Sequence, residues 1–362
     1  MLGISKAKEF KCNVENVRNV LVLSFIDNGA KSLLERFSYE KGYSIEDDLL
    51  YDPNKYMRLT KEGEINTFST IYGFGNKEYL INFTNFPTYV IKNQECLLNS
   101  ADTCLIVISS TEENVIEKYT ELIQSVIRNK IKPILIINKL DMLIRIYEDD
   151  EIEQLVRRIA YIMAKVNDII EKERGSDDWN IEVEKGNVIF GSATHGWGFN
   201  KEVSEKTGIE FKEIQQTVKN SIYTNLDEKI PISKAIFECI IANSPVTSKS
   251  LTYRLPIICK NEIGTDMAQS MIDADPEGPL IVMFFGEKHS EIFPKSIYCR
   301  IFSGTLKKGD EIHLMNSLET IKVMHTFIYD GPHQFACGEI PAGKMGSIMT
   351  DKDVLLGELY FL

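Results

Sequence analysis

Apolar and polar positions follow two regimes along the chain. Through the first two thirds, short unbroken apolar runs alternate with longer stretches whose apolar residues recur every three or four positions. "VLVLSFI" precedes "AKSLLERFSYE", and "EYLINF" precedes a polar stretch. "TCLIVIS" precedes "TEENVIEKYTELIQSVIRN", which leads into "PILIIN". Buried strands of this length separated by helices predict βαβ units and a mainly parallel sheet with helices on both faces. From Glu151 to Arg174, the residues Ile152, Leu155, Val156, Ile159, Met163, Val166 and Ile170 keep helical spacing. That predicts one long amphipathic helix. A further strand, "NVIFGS", ends at Ser192.

The pattern changes near Pro245. "IFECIIANSPVTSKSLTYRLPIICKNEIGTDMAQSMIDADPEGP" reads as a short helix followed by an irregular connector. Beyond Gly278 the runs "LIVMFF", "SIYCRIFSG", "DEIHLM" and "TIKVMHTFI" are separated by turn signals such as "KKGD", "YDGPH" and "IPAGK". Short strands at this spacing predict a small sandwich or barrel. The expected division is an α/β domain over 1–245, a connector over 246–276 and an all-β domain over 277–362.

Composition changes this picture little. Of 362 residues, 43% are hydrophobic and 10% aromatic, enough for sizeable cores. Lys plus Arg number 41 against 53 Asp plus Glu, a formal net charge of -12, so no global attraction to nucleic acid or anionic membrane is expected. Seven cysteines scattered from Cys12 to Cys337, without a C-x-x-C pair, read as reduced thiols of a cytosolic or nuclear protein. No segment has the roughly twenty apolar residues that span a bilayer.

The candidate chemistry sits at strand ends. "NVLVLSFIDNGAKSLL" nearly fits the phosphate-cradling pattern G-x-x-x-x-G-K-[ST]. Counted from Gly29, however, the lysine position holds Ala30 and the hydroxyl position holds Lys31. Backbone donors around Asp27, Asn28, Gly29 and Ala30 can surround a phosphate at a helix N-terminus. Lys31 and Ser32 reach their roles only if the loop accommodates one extra residue.

The strand "PILII" ends in Asn138-Lys139-Leu140-Asp141. A carboxylate here, at the carboxyl end of a parallel strand, can accept from the N1–H and the exocyclic amino group of guanine. Adenine has neither donor in those places, so Asp141 would be left desolvated and unpaired. Asn138 can brace neighbouring loops, and the Lys139 stem can lie along the base. The next strand ends "GSAT", where the Ala193 N–H can meet guanine O6 and Ser192 can shape the turn. His195 reads as a loop or capping histidine, since no nucleophile motif accompanies it.

These stretches resemble the translational GTPases of the elongation factor 2 and elongation factor G family. "IINKLDMLI" looks like the family's guanine motif and "NVIFGSATHGWGFN" its second base motif. "SPV" and "DADPEGPL" resemble the passage into its second domain, "RIFSGTLKKGDEIHLM" that domain's central hairpin, and "CGEIPAGKMGSI" its closing strand. Within the family, the branch acting in maturation of the large ribosomal subunit looks most similar. The resemblance implies an α/β P-loop GTPase domain followed by a small β-barrel domain. It also implies GTP or GDP as ligand, Mg²⁺ as cofactor, and the large ribosomal subunit, RNA and proteins, as partner of a cytoplasmic monomer.

Departures from the family limit the expected chemistry. The chain stops after the second domain, so the family's last three domains are expected to be absent. In "KEGEINTFST" the Thr that closes over Mg²⁺ and the γ-phosphate is replaced by Asn66, with Thr67 adjacent. In "LINFTNFPTYV" the family's Asp, Pro, Gly and His places hold Asn85, Pro87, Thr88 and Tyr89. Positioning and electrostatics supply nearly all of phosphoryl-transfer catalysis, so weak or no hydrolysis is expected, with Mg²⁺ doubtful and no catalytic residue assigned. The alternative expectation is a nucleotide-free interaction module of a ribonucleoprotein, either the ribosome or the U5 spliceosomal particle.

Overall fold

The computed structural model describes residues 13–25, 27–40, 66–87, 94–112, 115–147, 151–174, 179–220, 225–259, 265–288, 296–315, 319–331 and 333–362. A 3-10 turn at Val14–Asn16 leads into β1 (Val17–Ser24) and α1 (Ala30–Glu40). β2 (Asn66–Phe74), β3 (Lys77–Pro87), α2 (Gln94–Ser100), β4 (Thr103–Ser109) and α3 (Val115–Arg128) follow. Next come β5 (Lys132–Asn138), α4 (Leu140–Ile146), α5 (Ile152–Arg174), β6 (Val188–Ser192) and β7 (Trp197–Phe199). Six helices come after them: α6 (Lys201–Thr207), α7 (Phe211–Lys219), α8 (Leu226–Lys229), α9 (Ile232–Asn243), α10 (Thr247–Ile258) and α11 (Thr265–Asp273). The last strands are β8 (Ile281–Lys288), β9 (Ser296–Ser303), β10 (Thr305–Lys307), β11 (Glu311–Leu314) and β12 (Thr320–Asp330), then β13 (His333–Cys337), β14 (Glu339–Pro341), β15 (Met345–Thr350) and β16 (Leu359–Phe361).

Two compact units result. One comprises Met1–Leu21, Asp48–Thr103 and Pro245–Leu362; the other comprises Val22–Asp47 and Cys104–Ser244. β1 runs from the first into the second.

The second unit is built on β1, β4, β5, β6 and β7, side by side in that order. Every residue of β1, β4 and β6 is buried, and so is all of β5 after Lys132. Strands without an exposed face are those covered by helices on both sides, as the unbroken apolar runs require. β5 and β6 are parallel, but β7 returns antiparallel to β6 through the turn at 193–196. α5 packs against α3, burying Leu155, Ile162, Val166 and Ile170, while Val156 and Tyr161 on the same helix stay exposed.

In the first unit, β2 and β3 form an antiparallel hairpin about the turn Gly75-Asn76, and β3 lies beside β1. The sheet is therefore mixed, where the spacing of runs pointed to a mainly parallel one. The reason is local: a two-residue Gly-Asn turn between strand-forming runs closes a hairpin and leaves no room for a crossover helix.

The connector expectation is also corrected. Residues 247–258 and 265–273 are helical, not irregular. Leu251, Leu255 and Ile258 repeat at four and three positions and are buried, as is Met271 of α11. That apolar stripe holds α10 together despite Pro256 in its last turn.

The β-rich part closes into a barrel. Its strand order is β11-β16-β8-β9-β15-β12-β13, with β11 also paired to β12, so six strands form a closed ring and no free edge remains among them. Val282, Phe284, Ile297, Cys299, Ile301, Ile312, Val323 and Ile348 fill it. Each such side chain contributes roughly 1.5–3 kcal/mol by leaving water. β9 is buried on both faces, and its Arg300 points away from that filling to Asp102 and to the carbonyls of Asn99 and Ser100 at the end of α2. Among the described residues, no helix is long and apolar enough to cross a membrane.

Candidate functional site

The loop after β1 is held from below by a tyrosine. The Phe25 ring packs edge-on against Tyr119 with centroids 4.6 Å apart, and its N–H donates to the Tyr119 hydroxyl at 3.0 Å. Asp27 and Gly29 then take positive φ, 67° and 98°. A Cβ on Gly29 would overlap the Asn138 side-chain amide, so this position needs glycine for both conformation and space. The Leu33 N–H donates to the Gly29 carbonyl at 3.0 Å, so the helix follows Gly29 with no inserted residue. Ala30, buried, holds the place directly after the glycine. Lys31 and Ser32 sit in the next two helical positions, both half-buried, with the Lys31 ammonium 3.7 Å from Glu35.

Asn28 turns its side chain inward and is 1% exposed. Its Oδ1 accepts from the Ser109 N–H at 3.2 Å, and its Nδ2 donates to the Tyr119 hydroxyl at 3.0 Å. That hydroxyl in turn donates to the Val107 carbonyl at 2.6 Å. Burial pushes the Tyr119 phenol up, so it stays protonated and keeps donating at neutral pH.

The base-reading candidates gather in the turns after β5 and β6, beside this loop. β5 ends at Asn138, Lys139 takes a left-handed conformation (φ 58°, ψ 31°), and α4 begins at Leu140. Asn138 Nδ2 donates to the Asn28 carbonyl at 2.8 Å, while its Oδ1 accepts from the Ala193 N–H at 2.9 Å. One amide thereby ties the loop after β1 to the turn after β6. The Lys139 carbonyl accepts from the Ser110 hydroxyl at 2.9 Å. Arg158 of α5 donates to the carbonyls of Ser110, at 3.1 Å, and Glu112.

Asp141 lies in the first turn of α4, where backbone N–H groups favour a carboxylate, and is 7% exposed. His195 places Nε2 3.5 Å from Asp141 Oδ2, and its N–H donates to the Ser192 hydroxyl at 3.4 Å. Ser192 and Ala193 are both buried. Arg36 of α1 reaches the same turn, donating to the Thr194 carbonyl at 3.3 Å and filling the space a Cβ on Gly196 (φ 74°) would need.

The structure thus brings Asp27, Asn28, Gly29, Lys31 and Ser32 to one loop and helix start. Asn138, Lys139, Asp141, Ser192 and Ala193 form the adjoining turns, and all ten belong to the second unit. Tyr119, Ser109, Ser110, Arg36 and Arg158 support the site and carry no motif, so spacing alone gave no signal for them. In the first unit Asn85 of β3 is buried opposite Asn66 in the β2–β3 register. Thr88, Tyr89 and the side chains of Asn66 and Pro87 lie outside the described residues.

Asp141 offers the acceptor a guanine edge requires, while the Ala193 N–H is engaged by Asn138, which braces the turns after β5 and β6. For Mg²⁺ the loop after β1 does not fit: in the observed register Lys31 stands at the hydroxyl place, and an ammonium is no ligand for a cation. Among the described residues, no three His, Cys, Asp or Glu side chains gather in a metal-holding group.

Residues 15–255 match the family model described as the elongation factor Tu GTP binding domain. The chain is 28% identical over 370 residues to elongation factor 2 of Aeropyrum pernix, which covers 98% of this chain and 50% of that protein. It is 27% identical over 369 residues to elongation factor 2 of Pyrococcus abyssi and of Methanocaldococcus jannaschii, with the same coverage. The chain therefore spans about half the length of the curated relatives it matches.

Proposed function

Because the chain belongs to the elongation factor Tu GTP-binding domain family, we propose that it is an elongation factor 2-like guanine-nucleotide-binding protein. It acts as a monomer in the cytoplasm, at the large ribosomal subunit, in elongation or in subunit maturation, and hydrolyses GTP weakly or not at all. What supports this is the contrast between the turns after β5 and β6 and the loop after β1. Asp141, Asn138 and Ala193 are buried and positioned, whereas Ala30 occupies the place where a lysine would neutralise phosphate charge.

The roles follow from the donors and acceptors. Asp141 accepts from guanine N1–H and the exocyclic amine, with the Lys139 stem along the base. The Ala193 N–H exchanges its bond to Asn138 for guanine O6, and Ser192 shapes that turn. Backbone donors of Asp27 and Gly29 face the phosphates, and the Asn28 N–H joins them only by leaving the Phe25 carbonyl, to which it donates at 3.2 Å. Lys31 contributes charge only by leaving Glu35, and Ser32 contributes a hydroxyl at the helix start. With Lys31 at the hydroxyl place, Mg²⁺ adds little to affinity.

A second reading, a nucleotide-free module of the ribosome or of the U5 spliceosomal particle, is favoured by one observation. The Asn28 amide and the Ala193 N–H are already satisfied inside the protein. Displacement of a fluorescent GDP by GDP, GTP and ADP, alongside sedimentation with purified large subunits, separates the two. Selective displacement by GDP and GTP with co-sedimentation supports the first. Absence of any GDP binding by a protein that still sediments with ribonucleoprotein supports the second.

A further inference from the structure

The carboxylate that reads guanine needs both oxygens aimed at the base, and the last torsion of an Asp side chain is broad, with no sharp rotamer well to hold it. Something must fix it. In this chain the group facing Asp141 is His195, with Nε2 3.5 Å from Oδ2. The imidazole is itself placed by a turn fastened at three successive residues. The Ala193 N–H donates to Asn138, the Thr194 carbonyl accepts from Arg36, and the His195 N–H donates to Ser192 Oγ. Gly196 then takes φ 74° against the Arg36 guanidinium. Such a turn has little freedom, so the point from which the imidazole extends toward Asp141 is fixed.

We propose that His195 is a positioning residue for base recognition: its Nε2–H engages Asp141 Oδ2 on the side away from the base and orients the carboxylate for two-point contact with guanine. Each carboxylate oxygen carries two lone pairs, so the imidazole and the base do not compete for the same one. His195 does not touch the nucleotide. It acts through Asp141, on discrimination more than on affinity as such. This inference rests on the proposed guanine site.

The contrast between GDP and inosine diphosphate, which lacks the exocyclic amine, reads the two-point contact directly. Both dissociation constants are measured by displacement of a fluorescent GDP from the whole chain, for wild type, His195→Ala and His195→Gln. In His195→Ala the preference for GDP over inosine diphosphate falls about ten-fold, the equivalent of one charge-assisted hydrogen bond. Inosine diphosphate affinity and the unfolding midpoint stay close to wild type. His195→Gln, which returns an N–H at similar reach, restores most of the preference. An unchanged preference in His195→Ala, or a loss that His195→Gln shares, overturns the positioning role while leaving the guanine site standing. A wild-type protein that binds neither nucleotide removes the guanine site, and His195's role with it.

Discussion

Asn138 and Asn28 lie 110 residues apart in sequence and are joined by a hydrogen bond of 2.8 Å, from the Asn138 side-chain amide to the Asn28 carbonyl. Because Asn138 also accepts from Ala193, it is the point at which the loop after β1 and the turns after β5 and β6 become one structure.

Asn138→Ala leaves the Asn28 carbonyl and the Ala193 N–H without these partners. A buried group left unsatisfied costs about 1–3 kcal/mol, so the variant should lose about 2–4 kcal/mol in stability. Urea unfolding with an unchanged denaturant slope checks this, since a changed slope would signal an altered native or denatured state.

Gly29→Ala introduces a Cβ at φ 98° and into the Asn138 amide. The expected cost is about 1–3 kcal/mol, read as a lowered thermal midpoint. A variant as stable as wild type would show that this loop relaxes freely.

Ala30→Lys combined with Lys31→Ser restores the lysine and hydroxyl of the phosphate-loop pattern in the observed register. An added charge-assisted contact to phosphate should tighten GTP binding by about ten-fold or more. Equal affinity in the double variant and wild type would mean that the loop does not face phosphate.

Away from the site, Arg300 pairs with Asp102 through two bonds of 2.9 and 2.8 Å, and both side chains are buried. Burial alone would push the Asp102 carboxyl up, but the guanidiniums of Arg300 and Arg254 hold it below the usual range. A depressed carboxylate stabilises the fold above its unfolded pKa of about 3.9, and that contribution is lost as pH falls further through the folded value. The wild type should therefore keep this contribution down to about pH 4 and lose it below. Arg300→Met should cost about 3–5 kcal/mol at neutral pH by removing both of its charged hydrogen bonds and leaving the buried carboxylate to Arg254 at 3.4 Å, measured by urea unfolding.

Legibility in the sequence tracked locality. The strand before Asn138, the helix over 151–174 and the turn at Ser192-Ala193 were legible because each is encoded in fewer than about 25 consecutive residues with a clear period. The β2–β3 hairpin has its two-residue turn signal in "YGFGNKEY", but the residues on either side are partly exposed and carry no clear alternation. The helical spacing of Leu251, Leu255 and Ile258 in α10 is too short a period to stand out in a stretch that otherwise reads as a connector. The inward turn of Asn28, the reach of Arg36 to Thr194 and the approach of His195 to Asp141 are contacts between distant segments. No local period encodes them.

The most direct measurement is calorimetric titration of the wild-type chain with GTP, GDP and ATP, each in Mg²⁺ and in EDTA. GTP and GDP should bind, ATP should not, and chelating Mg²⁺ should change the GTP affinity by less than about three-fold, since Lys31 at the hydroxyl place gives the ion no ligand. GTP binding that collapses in EDTA, or ATP binding as tight as GTP, would contradict the proposed guanine site with little use for Mg²⁺.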